Sequence, residues 1–234
     1  MGAELPTLAV VHRRRLREVW RSAGWPCRDT VEIELIAAGL LERHFDEQGR
    51  ETLRVTDAGV EVLAATLQRN RARRDAHEDL VARVALEMQR AGRVVWRGLS
   101  LRAPLPGEDG ATQWAMAMPD VYSIRHTTVE DYAEPVVHEI KVRRSDLLSD
   151  LRQPNKGAAY AALASQCWYV LRAGIAEPGE IPEAFGVMLA HDSHLEVARP
   201  APRRAQRVHF AVWVALARAD AERPPEEDPQ ARLG

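Results

Sequence analysis

Apolar side chains recur at helical spacing near the start of the chain. From Leu8 to Arg21 they occupy one face among arginines, which predicts an amphipathic helix. A second apolar set runs from Val31 to Leu40 behind Asp29 or Thr30, either of which can cap a helix. The sequence therefore predicts two successive helices, the second one short.

Two short extended segments follow these helices. Leu41 to Phe45 and Thr52 to Val55 flank Gly49, which can supply the positive φ of a hairpin turn. Thr56 then caps another helix, which continues into the basic stretch Arg69 to Arg74. This order of helix, helix, hairpin and helix predicts a small first domain over residues 1–73.

The segments around the hairpin carry a family resemblance. Gly-Leu-Leu-Glu-Arg precedes it at 39–43 and Val-Thr-Asp-Ala-Gly follows it at 55–59. Over residues 8–73 the chain resembles a winged helix-turn-helix domain of the MarR-like kind. That resemblance implies that the segment Asp29 to Ala38 enters the DNA major groove.

The charges of that segment oppose such a role. Asp29, Glu32 and Glu34 would present acidic groups to phosphate. The alternative is a winged helix that forms a homodimer or packs on the second domain. The better candidates for DNA backbone contacts are arginines of the first helix, namely Arg13, Arg14, Arg15 and Arg17.

The remaining pattern predicts a second domain over residues 74–215. A helix over 75–90 comes first, followed by strands over 94–101, 114–124 and 135–142 and a turn-rich loop at 104–110. A second helix runs from Ser145 to Ala164 and restarts at Pro154. Two more strands follow it, over 167–171 and 185–190. The segment 216–234 is acidic and rich in proline from Ala219 on, which predicts a disordered tail. The expected fold class is α/β, a winged helix domain followed by a mixed sheet flanked by helices.

Composition narrows the classes of protein. The 234 residues are 46% hydrophobic and 28% charged with a net charge of −2, which is typical of a globular protein and gives no strongly basic arm. Without a membrane-length apolar run or a signal-peptide pattern, we expect a cytoplasmic protein with no membrane partner. Cys27 and Cys167 are expected to be buried thiols, and the histidines lack the spacings of common zinc motifs.

Candidate chemistry lies on the second and third strands of the second domain. Asp120 follows a proline, and Glu139 and Lys141 lie nineteen and twenty-one residues later. Residues i and i+2 of a strand share a face, so Glu139 projects with Lys141, and an antiparallel pairing would place Asp120 across from Glu139. Two carboxylates beside an ammonium suit Mg²⁺ and phosphodiester hydrolysis. The alternative is an ordinary hairpin in which these groups form an ion pair.

These residues resemble the PD-(D/E)XK nuclease superfamily, and within it the MmcB-like group of DNA-repair nucleases. The segments that carry the resemblance over residues 76–200 are Pro119-Asp120, the run from Glu139 to Asp150, Lys156, Tyr160, Trp168-Tyr169-Val170, Ile181-Pro182-Glu183 and Gly186-Val187-Met188. The resemblance implies metal ligation by Asp120, Glu139 and the Ile140 carbonyl, with Lys141 catalytic. Such folds often add an acid from the first helix, for which Glu78 is the candidate and Glu87 its competitor.

The helix after the third strand supplies further candidates. Asp146 and Asp150 lie one turn apart on one face of this helix, where they could hold the site residues in position. Asp146 is equally explained by the favourable interaction of its negative charge with the helix N-terminus. The expected DNA contacts are Arg143, Arg144, Gln153, Lys156 and Tyr160. The two arginines are equally explained as solvated surface charges, and the other three residues could instead support the site residues. Only Lys141 and Lys156 are lysines among 32 basic residues.

The sequence as a whole favours a nuclease that cleaves DNA with Mg²⁺, or with Mn²⁺ in its place, in DNA repair or processing. Two other functions stay open at this point. One is a non-catalytic winged-helix DNA-binding regulator whose nuclease-like domain binds a partner or ligand. The other is an assembly subunit that forms a homodimer through the winged helix.

Overall fold

The computed structural model describes residues 8–107 and 110–223. The chain divides into two compact units, the first ending at Arg74 and the second beginning at Asp75. The helices of the described ranges are α1 (Val10–Arg21), α2 (Thr30–Ala37), α3 (Asp57–Arg90), α4 (Arg144–Leu151), α5 (Pro154–Leu163) and α6 (Phe210–Arg218). The strands are β1 (Leu41–Phe45), β2 (Glu51–Val55), β3 (Arg93–Arg97), β4 (Leu101–Pro106), β5 (Thr112–Ala117), β6 (Val121–Arg125), β7 (Val136–Lys141), β8 (Gln166–Arg172), β9 (Gly186–Ala190) and β10 (Leu195–Arg199).

The first unit consists of α1, α2, the β1–β2 hairpin and the start of α3. Its core is a small aliphatic cluster that includes Leu16, Leu35, Leu40 and Leu53. At Gly24 a Cβ atom would lie 2.1 Å from the Leu53 carbonyl oxygen, so only glycine fits where the chain passes β2. The predicted helices and hairpin are therefore present in this unit.

The three acids of the α2 segment are not all presented to solvent, in contrast to the prediction from the sequence. Asp29 caps the helix, accepting from the Glu32 amide at 3.0 Å, and its carboxylate pairs with Arg15 at 2.8 Å. Glu32 is buried and accepts from the amides of Cys27 and Arg28 at 2.5 and 2.9 Å. Two of the three acids therefore serve the structure of the unit itself. The Cys27 thiol is exposed, contrary to expectation, whereas the Cys167 thiol is buried.

Helix α3 is one element of 34 residues where the sequence predicts two. The predicted domain boundary after residue 73 falls within it. No glycine or proline occurs between Thr66 and Arg90, and most residues there are strong helix formers, so nothing interrupts the backbone hydrogen bonds. Gly92 ends this segment with a φ of +75°.

The second unit contains a six-stranded mixed sheet in the order β10-β9-β8-β7-β6-β3. Strand β6 is antiparallel to both β3 and β7. Strands β7, β8 and β9 are parallel to one another, and β10 is antiparallel to β9. Apolar side chains of α3 and the sheet form one cluster, including Val84, Ile140 and Val170. A second cluster contains Val137 and Leu163 of α5.

Four strands occupy the region in which two were predicted. The predicted strand at 94–101 is divided between β3 and β4 by a break that includes Gly98, whose φ is +56°. The predicted loop at 104–110 belongs largely to the β4–β5 hairpin, which is a separate two-stranded sheet. Pro104 and Pro106 are tolerated in β4 because this strand pairs with β5 along one edge and has no partner strand in the sheet along the other, where a missing backbone N–H breaks no hydrogen bond. Residues 118–120 separate β5 from β6, so Asp120 precedes the strand.

The C-terminal region is more ordered than predicted. Strand β10 and helix α6 were not expected, and Leu216, placed in the predicted tail, is buried in α6. The Glu222 amide donates to the Val95 carbonyl at 2.8 Å, and the Glu222 carboxylate pairs with Arg97 at 2.7 Å. The predicted disorder is therefore wrong for residues 216–223, and the rest of the predicted tail, 224–234, lies outside the described residues.

Candidate active site

Strands β6 and β7 bring Asp120 next to Glu139. Val121 is paired with His138, so the residue before β6 comes level with Glu139. The Asp120 carboxylate accepts a hydrogen bond from the Ile140 amide at 2.7 Å through Oδ2. Asp120 is therefore anchored to the backbone of β7, close to the two residues that its position in the sequence suggested.

Glu139 and Lys141 share one face of β7, as their spacing predicts. The Lys141 ammonium lies 2.6 Å from Glu139 Oε1. Both side chains are almost entirely removed from water, with Glu139 only 3% exposed. A buried carboxylate is stable as an ion only when charged or polar donors surround it, so the contacts of Glu139 define the site.

Helices α4 and α5 add a second acid and the second lysine. The Lys156 ammonium lies 2.6 Å from Glu139 Oε1 and also donates to Asp150 Oδ1. Lys141 Nζ is 3.4 Å from the same Asp150 oxygen. Two ammonium groups thus lie between two carboxylates, and both lysines of the chain are in this arrangement.

Two tyrosine hydroxyls complete the arrangement. Tyr160 on α5 donates to Glu139 Oε2 at 2.6 Å, and Tyr169 on β8 donates to Asp150 Oδ2 at 2.7 Å. Burial, with the neighbouring carboxylates, raises the pKa of both phenols, so they remain hydrogen-bond donors at neutral pH. We refer to Glu139, Lys141, Asp150, Lys156, Tyr160 and Tyr169 as the acid–lysine cluster.

The ionisation of the cluster follows from these contacts. Burial alone would raise the pKa of Asp150, but hydrogen bonds from Lys156 and Tyr169 outweigh it, and the pKa is lowered. Burial likewise opposes the charge of Lys156, but Glu139 and Asp150 raise its pKa. Asp150 is therefore a carboxylate and Lys156 an ammonium at neutral pH.

His77 on α3 is a neighbour of Asp120 that the sequence analysis missed. Its Nε2 lies 3.4 Å from Asp120 Oδ1, and hydrogen bonding to Asp120 raises the pKa of the imidazole. Its Nδ1 lies 3.5 Å from the exposed carboxylate of Glu78, the residue predicted for this role. The predicted helix did reach the site, one residue earlier than expected. Its competitor Glu87 pairs with Arg90 at 3.0 Å.

Two of the predicted DNA contacts, Tyr160 and Arg144, form hydrogen bonds within the protein itself. Tyr160 is 1% exposed, which contradicts a DNA contact, and its hydroxyl donates to Glu139, which is the supporting role that was the alternative. Arg144 forms a two-bond ion pair with Glu180 at 2.7 and 3.0 Å. Arg143 and Gln153 are exposed at the ends of α4 and α5.

The remaining predicted residues lie outside the acid–lysine cluster. Asp146 is in the first turn of α4 and accepts from the Ser145 hydroxyl at 3.2 Å. In the first unit, Arg13 donates to the Leu8 carbonyl and the exposed Arg14 lies 3.5 Å from Glu18. Of the acids predicted to support the site from behind, Asp150 alone belongs to the cluster as defined.

The residues around Asp120 partly match the needs of Mg²⁺, which prefers carboxylate, carbonyl and water oxygens as ligands. Asp120, Glu139 and the Ile140 carbonyl offer such atoms on adjoining strands. Glu139 Oε1, however, already accepts from both ammonium groups. The chemistry fits a hard divalent cation if Lys156 moves away from Glu139, and its side chain is 29% exposed against 11% for Lys141.

Comparisons with known proteins add little. No protein family matches the chain, and no curated protein matches it. A solved structure, the SPO1766 protein of unknown function from Silicibacter pomeroyi, is similar over 56% of this chain and 73% of its own, with 19% identity and a TM-score of 0.36. Within residues 8–107 and 110–223, no helix combines the length and apolar character needed to cross a membrane.

Proposed function

We propose that this protein is a metal-dependent nuclease that hydrolyses phosphodiester bonds in DNA, in repair or processing. The observation that carries the proposal is the convergence of Asp120, Glu139 and Lys141 at adjoining strands. The order of elements in the large sheet supports it. Helix α3 precedes the antiparallel strands β3, β6 and β7, two helices follow, and β8 then pairs in parallel with β7, as the resemblance to PD-(D/E)XK nucleases implies; the β4–β5 hairpin is inserted after β3. Ordinary hairpins have no reason to bury two lysines and two acids together.

Each residue then has a role that follows from its contacts. Asp120, Glu139 and the Ile140 carbonyl would hold Mg²⁺ or Mn²⁺. When bound, the ion would polarise the phosphodiester and lower the pKa of a water molecule. Lys141 supplies positive charge beside the reacting phosphate, where negative charge develops. Tyr160 fixes the orientation of Glu139, and Asp150 holds Lys156 near the site.

The first unit would contact DNA as a winged helix-turn-helix domain. The internal use of Asp29 and Glu32 supports this role, because it removes much of the acidic surface that opposed it. Arg14 and Arg17 lie exposed on α1 and are the candidates for phosphate contacts. Arg143 is the corresponding candidate beside the acid–lysine cluster.

The test is cleavage of single-stranded, duplex and branched DNA in Mg²⁺, Mn²⁺ or chelator. We expect metal-dependent cleavage by the wild type, a loss of about 100-fold or more in Lys141→Met and Asp120→Asn, and normal activity in Arg152→Met, an exposed control at the end of α4. Cleavage that persists in Asp120→Asn at the wild-type rate would contradict the site assignment.

A second candidate, the non-catalytic DNA-binding regulator, has one specific observation in its favour. Both oxygens of Glu139 already accept hydrogen bonds, and two ammonium groups balance Glu139 and Asp150 without a metal ion. Such a site is complete as a structural element. In the same assay this function predicts DNA binding in chelator that Mg²⁺ does not convert into cleavage, and binding that Lys141→Met leaves unchanged.

A further inference from the structure

The turn between β9 and β10 carries a cluster of metal-binding side chains apart from the acid–lysine cluster. His191 and His194 lie in the turn and Glu196 lies in β10. One possible ligand atom from each lies within 4.8 Å of the others. The histidine spacing follows no common zinc motif, so the sequence alone does not predict that these residues lie together.

One pair of possible ligand atoms is about as far apart as two ligands of a single ion. His191 Nε2 lies 2.9 Å from Glu196 Oε2. In a tetrahedral zinc site, with bonds of about 2.0–2.1 Å, neighbouring ligand atoms lie roughly 3.3 Å apart. The rings of His191 and His194 are stacked with centroids 4.6 Å apart and planes 12° from parallel. Binding one ion would require the two rings to turn out of this stack, over a span of at most 4.8 Å between the ligand atoms.

The backbone around the cluster is held in place by several contacts. The His191 amide donates to the His194 carbonyl at 3.0 Å, which closes the turn. Arg83 on α3 donates to the His191 carbonyl at 2.5 Å. The Ser193 hydroxyl lies 3.2 Å from His194 Nδ1, a contact of the kind that orients the ring of a metal-bound histidine. The backbone of the turn is therefore in place before an ion binds, and binding has to reorient only the side chains.

We propose that His191, His194 and Glu196 bind a borderline divalent transition-metal ion of the Zn²⁺ class. Two imidazoles and one carboxylate suit Zn²⁺ rather than Mg²⁺, which takes oxygen ligands. The ion ties the turn to β10, the edge strand of the sheet, and so stabilises that edge. Three protein ligands leave a fourth position for water. The site is independent of the proposed nuclease function, because β8 and β9 separate β10 from β7.

The test is isothermal titration of full-length, tag-free protein with ZnCl₂ after removal of metals with chelator. All variants are made in an Asp120→Asn background, so that zinc binding at the candidate active site is weakened. We expect one equivalent of Zn²⁺ to bind, with at least about 10-fold lower affinity in His191→Ala and in His194→Ala. The matched control His126→Ala removes another exposed imidazole and should leave binding unchanged.

Thermal unfolding provides a second measurement. Zn²⁺ should raise the unfolding temperature of the parent protein by a few degrees and that of His191→Ala by much less, whereas without metal the two should unfold alike. Equal zinc affinity in the parent and both histidine variants would overturn the proposal, and so would an equal loss of affinity in His126→Ala. Because DNA cleavage is not measured, failure of the nuclease proposal leaves this result intact.

Discussion

Replacing Lys156 with methionine tests whether the acid–lysine cluster balances its own charge. Methionine preserves most of the side-chain length and its apolar contacts but removes the ammonium group. Glu139 Oε1 and Asp150 Oδ1 each lose a charged donor. Both carboxylates are buried, so water cannot replace that donor without opening the site.

The size of the effect can be bounded from the contacts that remain. Removing one partner of a fully buried ion pair typically costs about 3–5 kcal/mol. Here Lys141 still contacts Glu139 at 2.6 Å and Asp150 at 3.4 Å, and Lys156 is partly exposed, so screening reduces its contribution. We therefore expect the free energy of local opening to fall by about 2 kcal/mol.

Hydrogen exchange measured by mass spectrometry is the appropriate assay, because it reports on β7 without assuming that the two units unfold together. A loss of about 2 kcal/mol corresponds to roughly 30-fold faster exchange of the β7 amides. Arg152→Met is the matched control and should leave β7 unchanged. If the proposed function holds, millimolar Mg²⁺ should restore part of the protection in Lys156→Met.

Exchange in Lys156→Met within about threefold of the wild type would refute this reasoning. It would mean that the two carboxylates do not depend on Lys156 in solution. A change of equal size in Arg152→Met would instead attribute the effect to any loss of charge on these helices.

Three further results are expected. Tyr160→Phe and Tyr169→Phe each leave a buried carboxylate oxygen without its donor, so each should lower the free energy of unfolding in urea by about 1–3 kcal/mol. In the double variant the two losses should depart from additivity by about 0.5 kcal/mol or more, because Lys156 links the two carboxylates. Burial lowers the pKa of His138 from 6.5 to about 3, so between these pH values the unfolded chain binds a proton that the folded chain does not. The free energy of unfolding should therefore fall as the pH drops from about 6.5 towards 3, by at most about 1.4 kcal/mol per pH unit. His138→Gln should flatten that slope. Asp120→Asn should lower the pKa of the His77 imidazole towards 6.5, as followed by NMR titration.

Those pH results have clear contrary outcomes. An acid slope unchanged in His138→Gln would mean that other groups account for it. A His77 pKa unaffected by Asp120→Asn would mean that the two side chains do not interact in solution.

Local pattern was sufficient for much of the fold. The i and i+2 rule placed Glu139 beside Lys141, and Pro154 marked the first residue of α5. Both depend on residues close in sequence, for which strand and helix geometry leave few alternatives.

The rest depends on pairings between distant segments. Tyr169 reaches the cluster because β8 pairs in parallel with β7, with Glu139 level with Tyr169, and no local pattern fixes that register. His77 faces Asp120 only because of how α3 packs on the sheet. The apolar positions of a helix define its buried face only approximately, so the sequence does not distinguish Glu78 from its neighbour His77 as the residue that approaches the site.

The confinement of both lysines to one cluster makes the site chemically addressable. Amine-selective acylating reagents find two side-chain amines in the entire chain. Lys156 is the more accessible, and its acylation would remove the charge that contacts Glu139 and Asp150. The extent of labelling, read as a mass increase on one peptide, would thus report how often that ammonium leaves its carboxylates.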